Sequence, residues 1–95
     1  MIENKRFEWD EEKNQFLQHE RGLSFESVIV AIEQGLLIDI VQNPSSNHPE
    51  QKALVVDIED YLVLVPFVEN ATCIFLKTAF KSRKMTADYR RKKDD

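Results

Sequence analysis

The chain has 95 residues, 42 % of them hydrophobic and 32 % charged. That balance suits one globular domain over residues 1–95, since two domains of this total length would each struggle to bury a core, and it excludes collagen-like and disordered classes. Residues 77–95 hold eight basic residues against three acids, a local +5, and residues 1–76 hold five against fourteen, a local −9, so the C-terminal end is a candidate phosphate-contacting surface. In chain order, the first predicted element is a helix of about three turns after Trp9, with Asp10 as N-cap and Glu11 and Glu12 near its unpaired N–H groups. Phe16 and Leu17, with the stem of Lys13, are expected to form its buried side, and Gly22 to end it in the left-handed conformation. Ser24 caps a second helix in which Phe25, Val28, Ile29 and Ile32 recur at i, i+3, i+4 and i+7, with Gly35 past its end. From Leu36 the period changes to that of strands. The runs Leu36–Val41, Ala53–Ile58, Tyr61–Val68 and Thr72–Phe80 are rich in β-branched, aliphatic and aromatic residues. Asn43–Pro49 is a turn-forming cluster and the one long loop, while Glu59-Asp60 and Glu69-Asn70-Ala71 are short links that make neighbouring strands antiparallel. Pro66 lacks an N–H and predicts an edge position or a bulge. The chain should close in a basic helix from Thr86 or a flexible basic tail at 88–95. The fold class is therefore α+β, two N-terminal helices packed on a roughly four-stranded antiparallel sheet.

Several chemistries are excluded. Both glycines have helix-stop duties, which leaves no Gly-rich loop for a nucleotide phosphate and removes the Rossmann and P-loop readings. Cys73 is the only cysteine, and His19 and His48 have no partner at metal-ligand spacing, so neither a metal nor another cofactor is expected. A single cysteine, no signal-peptide run and no stretch of membrane-span length make the cytoplasm the expected compartment, with no membrane partner. Ser45 and Ser46 lack a nucleophile-elbow context. His19 reads as a surface or packing residue, whereas His48 lies in the loop cluster, where catalytic groups concentrate. What remains is Lys13, Glu50, Lys52, Lys77, Arg83 and Lys84. RNA cleavage needs a group to take the 2′-OH proton, a group to protonate the leaving 5′ oxygen, and cations to stabilise a dianionic phosphorane. Read from the residues alone, an exposed charge on a small domain is the simpler account of each.

A family resemblance changes that balance. Phe7-Glu8-Trp9-Asp10, then Lys13, then Gly22-Leu23-Ser24-Phe25-Glu26, resembles the opening of the BrnT-like toxins, which share the fold of the RelE ribonucleases, and Thr78–Thr86, with its Ser82-Arg83-Lys84-Met85-Thr86, resembles that family's final strand and the segment after it. The resemblance spans nearly the whole chain in the right order. Where the family has Lys-His-Gly this chain has Glu20-Arg21-Gly22, so no role passes to His19. Glu50-Gln51-Lys52 matches the family's Glu-x-Arg loosely. The resemblance implies a metal-independent endoribonuclease, the toxin of a type II toxin–antitoxin pair, which inhibits translation and is neutralised by a cognate ribbon-helix-helix antitoxin. Residue by residue it carries over Lys13, Arg83 and Lys84, Glu50 and Lys52 through the loose match, and Lys77 by strand position only. With His48 from the loop cluster and the cations of the basic end added, the expected site is Arg83, Lys13 and Lys77 with Glu50 or His48 as base, and the expected RNA contacts are Lys52, Lys81, Lys84, Arg90 and Arg91.

Two other readings stand beside it. In one, the chain has lost catalysis and acts as a binding module in an antitoxin-containing repressor complex on operator DNA. In the other it is a plain interaction domain, and its charge constellation is incidental.

Overall fold

The structure is a computed structural model that describes residues 5–42 and 51–94. Over these residues it is an α+β domain with one mixed, six-stranded sheet and three helices. In chain order the elements are β1 (Arg6–Trp9), α1 (Glu11–Arg21), α2 (Phe25–Glu33), β2 (Leu37–Gln42), β3 (Lys52–Ile58), β4 (Tyr61–Glu69), β5 (Cys73–Leu76), β6 (Phe80–Lys81) and α3 (Arg83–Asp94). The main sheet path runs β1-β5-β4-β3-β2, and β6 pairs β4 below β5.

The opening of the chain folds as the capping residues dictate. Oδ1 of Asp10 accepts from the N–H of Glu12, and Gly22, at φ +64°, ends α1 with the N–H of Leu23 returning to the carbonyl of Leu17. Ser24 and Ser27 then form a reciprocal capping box at the start of α2. Past its end, Gly35 at φ +80° lets the N–H of Leu36 reach the carbonyl of Ala31. Leu17, Leu23, Phe25, Val28 and Ala31 meet Leu54, Val56, Val63, Val65, Phe67, Ile74 and Leu76 from one sheet face in a single core. Burial of each large member contributes about 1.5–3 kcal/mol. Strand alternation turns Val55, Leu62, Leu64 and Cys73 to the other face, where they are also buried. Among the described residues, no helix is long and apolar enough to cross a membrane.

The structure corrects the sequence reading at four places. The first element is a strand: β1 lies parallel to β5, in register from Arg6 against Cys73 to Trp9 against Leu76. Its Phe7 and Trp9 turn inward, and Trp9 packs on Phe25 with ring centroids 5.6 Å apart. The sheet is therefore mixed, although β2 to β5 are antiparallel as expected.

Second, the run Thr72–Phe80 is two strands, β5 and β6, and this break explains Pro66. Pro66 is buried in the central strand β4 rather than at an edge. Its carbonyl accepts from the N–H of Lys77, so its missing donor points into the gap where β4 exchanges β5 for β6. Third, Phe16 is not core but 43 % exposed. Leu17 and the fully buried Asn14 form α1's inner stripe, and Phe16, one residue or roughly 100° from Leu17, is swung outward.

Fourth, α3 begins at Arg83 and not at Thr86, and residues 88–94 continue it. Ser82 is its cap, with the hydroxyl accepting from the N–H of Met85. The β3–β4 link, Glu59-Asp60, has φ of 53° and 69°, the two positive values of a type I′ hairpin.

Candidate functional site

The cations singled out in the sequence fall into three places. The first is the start of α3. Arg83 and Lys84 are exposed on its first turn, which holds no acidic residue, while Thr86, one turn on, is buried, donates to the carbonyl of Ser82 and accepts from the N–H of Leu62. Thr86 thus fastens the helix start to β4 and fixes where Arg83 and Lys84 project. No hydrogen bond or ion pair engages the Arg83 side chain among the described residues. Lys81, at the end of β6, lies over the ring of Tyr61 at 5.0 Å, and Arg90, two turns into α3, lies over the same ring at 5.7 Å. Arg90 also donates to the carbonyl of Asp60 at 2.8 Å. Arg91 turns to Asp88 at 3.9 Å, an exposed pair on the helix surface.

The second place is the outer side of α1. Lys13 lies 4.8 Å and Arg21 5.6 Å from the centre of the Phe16 ring. Arg21 also donates from Nη1 to Oγ1 of Thr78 at 3.2 Å and to the carbonyl of Ala79 at 2.8 Å, so the end of α1 is stapled to the chain between β5 and β6. Lys77 precedes that stretch but belongs elsewhere. Alternation turns it with Phe75, over whose ring its Nζ lies at 5.8 Å, to the face away from α1. The structure therefore parts Lys13 from Lys77, and no contact links either to Arg83 among the described residues.

The third place is the far end of the sheet. Lys52 opens β3 opposite Phe67, about 20 Å along the strand from Ile58, which pairs with Tyr61. It borders a hollow of about 370 Å³ with Gln51, Phe67, Val68 and Glu69. There Lys5 pairs with Glu69 and, as donor, holds its carboxyl below the ordinary range. Glu50 and His48, the two candidate bases, lie outside the described residues, as do Ser45 and Ser46.

A larger hollow, about 490 Å³, lies between the α1–α2 corner, the β3–β4 turn and β6. Gln18, Gly22, Ser24 and Ser27 border it, with Lys81 on one side and Glu26 and Glu59 as its acids. His19 is exposed beside Glu20. Cys73 is buried, and burial first, with Glu8 second, pushes its thiol up, away from the thiolate a nucleophile needs. No group of three or more metal-ligating side chains forms among the described residues.

Sequence reasoning missed Arg21, Phe16 and Tyr61. Arg21 reads as an ordinary complement to a helix C-terminus and Phe16 as core. The available signal was the mixing of aromatic and basic residues, Lys13, Phe16, Arg21 and later Tyr61, Lys81, which the fold brings together as two ring-and-cation groups. No family model matches the chain, and no curated protein matches it either.

Proposed function

We propose that this chain is an RNA-cleaving toxin, centred on the start of α3. The observation that carries the reading is Arg83 and Lys84 in a first helical turn without an acid. A helix N-terminus is the positive end of the dipole, and a cation there costs about 0.3–1 kcal/mol where an acid would be favourable. Stability therefore does not account for this placement, whereas phosphate binding does, since exposed cations and a helix N-terminus attract the same oxygens. The resemblance to the BrnT-like toxins, carried in part by Ser82-Arg83-Lys84-Met85-Thr86, supports the same reading.

In the reaction the 2′ oxygen attacks phosphorus, the P–O5′ bond breaks, and a 2′,3′-cyclic phosphate and a 5′-hydroxyl result. The 2′-OH proton goes to the base, Glu50 or His48, and the leaving 5′ oxygen takes a proton from a general acid. Arg83 stabilises the charge gathering on the phosphorane with a planar fork that contacts two oxygens. Lys13 and Lys77 act as outlying cations, set apart from Arg83. A tightly bound antitoxin of ribbon-helix-helix type would mask the basic end and take this chain to operator DNA. The polarised charge supports such a partner.

The test is total RNA incubated with the purified chain and with Arg83 variants. Arg83→Ala should lose cleavage and growth arrest without loss of fold, and Arg83→Glu should lose cleavage while gaining up to ~1 kcal/mol of stability, because it places an acid at the positive end of α3. An Arg83→Ala protein that still cleaves at the wild-type rate would refute the site. A pH profile then distinguishes the bases: a carboxylate keeps activity into mildly acidic solution, whereas an imidazole loses it below about pH 6.

A further inference from the structure

Two aromatic rings are exposed where a soluble domain gains nothing by exposing them. Phe16 is 43 % and Tyr61 41 % exposed, and each carries two cations, Lys13 and Arg21 of α1 on Phe16 and Lys81 of β6 and Arg90 of α3 on Tyr61. The two groups are joined. Arg21, on the Phe16 ring, bonds the carbonyl of Ala79, and Lys81, on the Tyr61 ring, follows two residues later, about 7 Å along an extended chain. Lys81 pairs with Val63 and so lies on the α1–α2 side of the sheet with Arg21. Lys13, Phe16 and Arg21 on one side and Lys81, Tyr61 and Arg90 on the other are thus two cation–ring–cation groups, joined through the Ala79–Lys81 stretch.

From this geometry we infer that the two groups form a track for single-stranded RNA, in which unpaired bases displace the cations from the faces of Phe16 and Tyr61 and the four cations turn to the phosphates beside them. Aromatic faces accept any base, and a row of cations follows the backbone, which is the physical basis of binding to a single strand without regard to sequence. A duplex cannot use the rings, because its bases are already stacked on one another. The acids Glu26 and Glu59 in the hollow beside Lys81, and the exposed Glu12 and Glu20 one turn before and after Phe16, repel phosphate, so Lys13 and Arg21 have to outweigh them at the α1 end of the track. The inference deepens the nuclease reading and rests on it for the choice of RNA.

The experiment measures binding apart from cleavage. A short fluorescent 2′-O-methyl oligoadenylate has no 2′ nucleophile, so its anisotropy reports affinity alone. With four phosphate contacts, log K should fall against log salt with a slope of about −2.8, roughly a 50-fold loss between 50 and 200 mM. Phe16→Ala and Tyr61→Ala should each weaken binding by roughly 5- to 150-fold, with Tyr61→Phe close to wild type, and Lys81→Gln should flatten the slope by about 0.7. Both rings are exposed, so circular dichroism should show each variant folded. If the wild type does not bind, binds a duplex equally well, or binds unchanged after loss of both rings, the track is wrong, and the rings are merely covered by their lysine and arginine stems. RNA cleavage by a protein whose ring variants bind normally would leave the nuclease reading standing without the track. Ring-dependent binding by a wild type that cleaves nothing would leave the track standing without the nuclease.

Discussion

Asn14 is the buried polar residue on which the α1–α2 corner depends. It is fully buried, its Oδ1 accepts from the N–H of Phe25 at 2.8 Å, and its Nδ2 donates to Oε1 of Glu26 at 2.7 Å and to Oε1 of Glu11 at 3.3 Å. The Phe25 N–H is one of the donors that a helix start leaves without an intrahelical partner, and here it is closed off from water. Asn14→Ala orphans it, at about 1–3 kcal/mol for a buried unsatisfied donor. The bonds to the two exposed glutamates add less, because water replaces what they lose, so a total of about 2–4 kcal/mol is expected. For a domain of this size that lowers Tm by roughly 10–25 °C, read by circular dichroism on heating. Glu26→Ala is the internal control, since it removes one Nδ2 partner and leaves the Phe25 bond, and it should cost about 1 kcal/mol or less. Equal losses from Asn14→Ala and Glu26→Ala would refute the argument, because the Phe25 bond would then be worth nothing.

Three further outcomes follow from the geometry. Cys73 should react with a disulfide reagent far more slowly in the native protein than in denaturant at mildly alkaline pH, because burial and Glu8 disfavour its thiolate; equal rates would show the site open. Glu69 should titrate below its ordinary value of 4.5, since Lys5 donates to its ionised form against a smaller opposing effect of burial, and Lys5→Ala should raise the midpoint, as read by NMR. A carboxyl whose folded pKa is depressed stabilises the protein above its unfolded pKa and loses that contribution as pH falls through the folded value, so the stability deficit of Lys5→Ala should be present at neutral pH and vanish in strong acid.

The parts of the fold that were legible in the sequence are those fixed by local chemistry. Asp10, Gly22, Ser24 and Gly35 mark helix ends because a cap or a positive φ is decided within a few residues, and β2, β3 and β4 keep their boundaries to within about two residues because their apolar runs are long. The parts that were not legible depend on partners distant in sequence. β1 is only Arg6–Trp9, and its strand character comes from β5, more than sixty residues away, with which it pairs in parallel. Phe16 and Leu17 are equally apolar, and nothing local tells which of two adjacent residues faces the sheet. The role of Pro66 was half readable: a missing donor demands a gap, but that β6 would open the gap inside the sheet rather than at its edge is a tertiary fact.

The same division separates the residues that carry the family resemblance. Phe7 and Trp9 point into the core from β1 while Asp10 caps α1, and Gly22, Leu23, Ser24, Phe25 and Glu26 are in turn a helix stop, a core residue, a cap, a core residue and the partner of Asn14. In Ser82-Arg83-Lys84-Met85-Thr86, Ser82 caps α3 and Thr86 fastens it to β4. Every one of those residues has a duty in folding, and a sequence that shared them would share this corner and this helix start whatever its activity. Arg83 and Lys84 have no such duty among the described residues, and their place at the positive end of α3 weakens the helix they begin. Lys13 is intermediate, half-buried against the exposed ring of Phe16. The functional reading therefore rests on the few positions of the resemblance that the fold leaves unexplained, and for that reason the Arg83→Glu variant is decisive: folding and cleavage should move in opposite directions, which no purely structural role for Arg83 predicts.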